Sequence, residues 1–292
     1  MKYLRIVILC FFVYAVSVVA LPSCNGTSSR REDSMASQEC PQDDDDSHEI
    51  SEQDFDAEMR VRINKLKDAV GSDDAATVAS LCRYPIERLY PIHDIMDSTE
   101  MTERYGEIFD KKIKNAIISS KSDDWGGINW RGYTLEEGDW IWFDEDIYLI
   151  PYHSDYEKFI RNKLIKEDLL SLKPEFAKGW FPEMCLLDSI SGIIYRIDLK
   201  ELDSTMTDCR LMAYQTGFVS KDTLSFIMYG RKEIQGSAAT RCYVFPESDV
   251  LEWTICNYWY ENKIVLYIRK DGVTIVSRNL NKVYWLDMFA DK

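Results

Sequence analysis

Acid–base, metal or nucleophilic chemistry in this 292-residue chain would have to come from 3 histidines, 50 carboxylates and 8 cysteines. Within residues 55–292, His93-Asp94 is the one place where an imidazole adjoins a carboxylate, the pairing used in general acid–base catalysis. Asp139, Asp144 and Asp146 flank the aromatic run "WIWF" at positions that suit turns. His153 stands just before a helix cap and reads as a surface residue. Arg231, Lys232 and Arg241, with Gly236-Ser237 between them, could hold an anion on side chains and backbone N–H groups, or form a solvated hairpin connection. "NYWYE" (Asn257 to Glu261) could offer flat rings to a sugar or peptide, or end a strand. Asp43 to Asp46 are consecutive and lack the spaced ligands and glycine turn of a calcium loop. No two cysteines form a CxxC or a Cys/His metal spacing, and no cofactor motif is present. G-x-S-x-G, HExxH, P-loop and G-x-G-x-x-G patterns are also missing. So few histidines argue against metal or triad enzymes and leave carboxylate-only chemistry open.

The elements that must position these residues are marked by caps and periodicity. Ser51-x-x-Asp54 forms a capping box ahead of Phe55, Met59, Ile63, Leu66 and Val70, one helical stripe ended by Gly71. Ser72 caps a short second helix, and "YPIERLYPI" reads as an extended connection. A third helix is predicted from about residue 97 to 119, with Met101, Tyr105, Ile108, Phe109, Ile113, Ala116 and Ile117 on its buried side. "INWRGYTL", "DWIWF" and "IYLI" follow as a short antiparallel meander. Ser154-x-x-Glu157 caps another helix, finished by Pro174. Beyond Gly179 strands dominate. Ile193, Tyr195, Ile197 and Leu199 alternate with Arg196, Asp198 and Lys200, and Asp271-Gly272 marks a hairpin. About seven strands in all predict an antiparallel sandwich or barrel.

Charge divides the chain. Its net of −15 becomes −17 once Lys2 and Arg5 are removed, and residues 25–54 hold ten acidic and two basic side chains. That composition predicts a self-repelling, disordered tether. The body has no basic cluster, which excludes nucleic acid as a partner.

Two resemblances follow from these residues. Lys2 and Arg5, then "IVILCFFVYAVSVVA", read as a secretion signal, and the next segment Leu21-Pro22-Ser23-Cys24 resembles the lipobox of bacterial lipoproteins. In that family the signal is cut before the cysteine, whose thiol and amino group are acylated, so Cys24 would bear the lipid. Cleavage after Ala20 by an ordinary signal peptidase is the alternative. The order of helix, short helix, "YPI" connection, long amphipathic helix and "GDWIWF" strands resembles the NTF2-like (cystatin-like) domains of secreted bacterial proteins. Such a domain implies a curved sheet wrapped round the long helix, with a cone lined here by Tyr105, Phe109, Trp130, Trp140 and Trp142.

The expectation is an α+β chain divided into a signal peptide (1–23), an acidic tether (24–53), an NTF2-like domain (54–151) and a β-rich domain with one leading helix (152–292). Its expected role is non-enzymatic binding of a small-molecule or protein ligand at the bacterial envelope, anchored to the membrane through Cys24 and using no cofactor. Two alternatives stand beside it: a carboxylate-based hydrolase or isomerase in the cone, with His93, and a purely structural envelope component.

Overall fold

Four side chains set the starts of four helices by accepting the N–H groups that a first helical turn leaves free. Asp74 accepts from Thr77 N at 3.0 Å and opens α2 (Ala75–Ser80). Asp97 accepts from Thr99 N and Glu100 N, both at 2.9 Å, and opens α3 (Ser98–Ile108). Asp110 accepts from Lys112 N and Ile113 N and opens α4 (Lys111–Ser119). Ser154 and Glu157 close a reciprocal capping box at α5 (Asp155–Leu170). The computed structural model describes residues 52–127, 131–216, 224–236 and 239–289, so Cys24, Ser51 and Trp130 lie outside the described residues. The chain before Ala75 contributes α1 (Glu52–Gly71), and Pro174 is the first residue of a short α6 (Pro174–Ala177).

The expected single helix over 97–119 is two helices. Asp110 captures two N–H groups that a continuous helix would have directed to carbonyls, and the chain turns there. The meander that follows has four very short strands: β1 (Trp125–Gly127), β2 (Tyr133–Leu135), β3 (Trp142–Phe143) and β4 (Ile147–Leu149), paired in that order. A parallel bridge from Cys82 to Ile147 ties the 81–96 connection to it.

The dominant element is a closed barrel of eight antiparallel strands, each paired with its neighbour in sequence. They are β5 (Phe181–Asp188), β6 (Ile193–Leu199), β7 (Thr207–Gln215), β8 (Leu224–Gln235), β9 (Thr240–Pro246), β10 (Leu251–Tyr258), β11 (Lys263–Lys270) and β12 (Val273–Val283). Closure is made by Asn281 to Val283 against Leu187 to Cys185. Asp271 and Gly272 both take positive φ, the mirror-image turn whose twist suits a two-residue hairpin.

This architecture overturns the α+β expectation of a helix-plus-curved-sheet NTF2-like domain followed by a β module. Strands of two or three residues cannot curve round a helix, and the barrel outweighs the helical part. Among the described residues no cone is formed. Leu66, Ile108, Ile113, Ile117, Leu135 and Phe143 fill that half as one solid core. The barrel is solid too: Leu186, Tyr195, Ile197, Leu211, Phe245, Ile255 and Leu266 meet inside it, as an eight-stranded barrel's width allows. On its outer wall, α5, α6 and Trp285 cover β5–β7 around Cys185, Ile194, Met212 and Tyr214.

Candidate functional site

The residues expected to line a cone are scattered by this fold. Tyr105 and Phe109 stack on each other, ring centroids 4.9 Å apart, within the helical core, and the Tyr105 hydroxyl is buried without a hydrogen-bond partner. Trp140 stacks on Tyr152 at 4.8 Å and donates its indole N–H to Glu136. Trp142 alone reaches a partly exposed cluster. Its ring meets Tyr148 and Trp259 edge-on, at 6.3 and 5.9 Å. Tyr148 and Trp259 lie nearly parallel, and Tyr260 stands edge-on to both. Arg83 sits over the Tyr148 ring at 5.7 Å.

Local structure explains the cluster. Trp142 and Tyr148 come from β3 and β4, whereas Trp259 and Tyr260 form the single 3₁₀ turn between β10 and β11. That turn ends because Asn262 adopts the left-handed conformation. The rings therefore join the small sheet to one end of the barrel while all four keep solvent access. Aromatic faces of this kind, with a guanidinium and the Asp144 carboxylate 3.3 Å from it, can grip a partner through stacking and cation–π contacts.

The same barrel end is stoppered by polar side chains. Glu87, from the 81–96 connection, accepts from Arg241 at 3.1 Å, and Asp94 holds Lys282 at 2.8 Å. Burial pushes the Glu87 carboxyl up, but Arg241 and Lys282 outweigh it and hold it below the usual range. Deeper in, Glu183 accepts from Lys232 at 2.7 Å and from the Tyr243 hydroxyl at 2.6 Å. Lys232 and Arg241 are thus neutralised internally, which takes two of its three cations from the anion-binding reading of the Gly230–Arg241 stretch; half of that stretch is β8 and its last two residues open β9.

His93 and Asp94 do not form a dyad. The His93 ring stacks on Tyr284 at 3.8 Å with Nε2 3.3 Å from Asp287, while Asp94 turns to Lys282. The groups placed in one buried charge cluster are others. Arg88 donates through Nε to Glu157 at 2.7 Å, through Nη1 to the carbonyl of Ile150 at 2.8 Å, and through Nη2 to Nδ1 of His153 at 2.9 Å. His153 is 17 % exposed rather than a surface residue. Sequence reasoning had one usable signal for this cluster, the capping box that fixes Glu157 at the start of α5.

Burial first, and the Arg88 cation after it, hold His153 below its ordinary 6.5 despite Glu157 nearby. A base depressed in the fold adds stability that is complete above 6.5 and is lost as pH falls through its lower folded value. The urea midpoint is therefore expected to drop between about pH 7 and about pH 5, and His153→Gln should flatten that drop. A slope unchanged by the substitution would show that His153 does not supply it.

Among the described residues no group of three or more His, Cys, Asp or Glu side chains could hold a metal ion, and no helix is long and apolar enough to cross a membrane. An open groove of about 480 Å³ lies between α1 and α2; Asn64, Lys65, Asp68 and Thr77 share its lining with Val61 and Ala69, and Asp74 is committed to its cap. No protein-family description, curated protein or solved structure matches the chain.

Proposed function

We propose that this chain is a lipid-anchored protein of a bacterial envelope that works by binding rather than by catalysis, with the Trp142–Tyr148–Trp259–Tyr260 face as its contact surface. The observation that carries the binding reading is this solvent-accessible ring cluster in a body whose two cores are filled. Its buried carboxylates, moreover, are committed to structure: Glu157, Asp168 and Asp198 to arginines, and Asp188 to the backbone N–H groups of Ile190 and Ser191 and the Ser191 hydroxyl. Leu21-Pro22-Ser23-Cys24 after an apolar leader supports the anchor. Acyl chains contribute about 0.8 kcal/mol per buried CH₂, so two or three together would hold the protein stably without a spanning helix.

One experiment on the full chain tests both parts. The protein should partition into detergent, and Cys24→Ser should move it to the aqueous phase. A photo-crosslinking residue at position 260 of the anchored protein should give discrete envelope adducts that Trp142→Ala with Trp259→Ala removes. The same group at position 273, at the opposite barrel end, should give none. Detergent partition of the Cys24→Ser variant would overturn the anchor, and equal adducts from both positions would overturn the contact surface.

A further inference from the structure

Cys242 and Cys256 are direct partners across the antiparallel β9–β10 pair, with Sγ atoms 2.7 Å apart. Residues directly opposite each other in such a pair have Cα atoms about 4.5–5.5 Å apart, inside the window a disulfide needs. Both side chains point out of the barrel, opposite to Tyr243 and Ile255, and both are buried. The remaining body thiols sit on separate elements: Cys82 after α2 donating to the Val78 carbonyl, Cys185 on β5 under α5, and Cys209 on β7 inside the barrel. Among the described cysteines, only one pair is therefore built for joining. We propose that Cys242 and Cys256 are a disulfide-forming pair that is cross-linked in the exported protein, stapling β9 to β10 beside the 3₁₀ turn that carries Trp259 and Tyr260.

The chemistry needs a disulfide donor such as oxidised glutathione or an exported thiol oxidase. The Cys256 sulfur attacks one donor sulfur, forms a mixed disulfide and expels one donor thiolate. Cys242 then loses its proton, its sulfur attacks the Cys256 sulfur, and the second donor thiolate leaves. Two protein thiols are oxidised, the donor disulfide is reduced to two thiols, and the two protons end on the donor. The order follows from the pair itself: the hydrogen bond the two sulfurs share holds the Cys256 thiol below its ordinary value and pushes the Cys242 thiol up, while burial pushes Cys82 and Cys209 up to about 12.

The cross-link in the native protein rests on the export reading above, and two arms keep the two claims apart. In the first, the reduced, unfolded full chain is refolded in a glutathione redox buffer, alkylated and digested. A peptide joining residues 242 and 256 is expected, with Cys82, Cys185 and Cys209 alkylated once the chain is unfolded, and reductant should lower the melting temperature by several degrees. Full alkylation of both cysteines, or either one joined to a different thiol, overturns the proposal. In the second arm the protein is acid-quenched from its source. A linked peptide supports both claims; a reduced pair there, with a linked pair in the first arm, overturns the native cross-link and leaves the disulfide-forming pair standing.

Discussion

Replacing Arg196 by Met is expected to remove about 3–5 kcal/mol of stability, the cost of stranding a buried charge. Arg196 lies on β6 beneath α5. Its guanidinium bonds Asp168 of α5 and, through Nε at 2.9 Å, Asp198 of its own strand. Asp198 in turn accepts from Arg210 of β7 at 2.9 and 2.7 Å. All four side chains are at most 1 % exposed. Burial works against the Arg196 cation, but the two carboxylates outweigh it and hold its pKa well above the usual arginine value. Methionine fills similar space and donates nothing, so Asp168 would keep only the Tyr90 hydroxyl, 3.4 Å away. Urea unfolding at neutral pH reads the loss, and Asp168→Asn added to Arg196→Met should recover part of it, since one stranded charge is then gone. A loss below about 1 kcal/mol would show that water reaches the network and that α5 does not seal it.

Gly230→Ala should be nearly as damaging, for a steric reason. A Cβ at Gly230 would stand 1.9 Å from the Val244 carbonyl oxygen and 2.8 Å from a ring carbon of Phe245. At this point β8 passes from β7 to β9, pairing Gly230 with Cys209 and Arg231 with Val244. The obstruction is backbone, which has no rotamer to escape into, so β8 and β9 must separate. A cost of about 3 kcal/mol, the upper end for overpacking, corresponds to a fall of roughly 10 °C in melting temperature for a body of this size. Gly71→Ala is the control: nothing lies within 4 Å of its Cβ position, and it should change stability little. Equal effects from the two substitutions would refute the close approach.

Particular residues show what the sequence could and could not disclose. The alternation at Ile193–Leu199 and the Asp271-Gly272 turn were legible because a strand's period of two and a positive-φ turn are local facts. Asp110 escaped notice because the apolar spacing runs across it from Ile108 to Ile113, and only the captured N–H groups reveal a second start. β5 is hidden in the sequence because Pro182 demotes a strand; in the structure Pro182 pairs with Asp198 beside a bulge between Pro182 and Met184. Arg196 and Asp198 read as solvent-facing by alternation, yet α5 covers that face, and nothing local announces a covering helix. The aromatic face was half visible. Trp142 and "NYWYE" each stood out, but their meeting depends on the small sheet packing against the β10–β11 turn, more than a hundred residues on, which no local pattern discloses.

The stopper at the barrel end has a consequence for how the molecule comes into being. Glu87 meets Arg241, Asp94 meets Lys282, and the Trp285 N–H donates to the Tyr90 hydroxyl at 3.1 Å, separations of 154, 188 and 195 residues. An early stretch must wait for the final strand to arrive before either half is complete. Loops of that span add a slow entropic cost to folding. A chain whose last strand has not yet been made therefore cannot lock prematurely, and one truncated before β12 would leave Asp94 without its lysine and the end of the barrel unsealed.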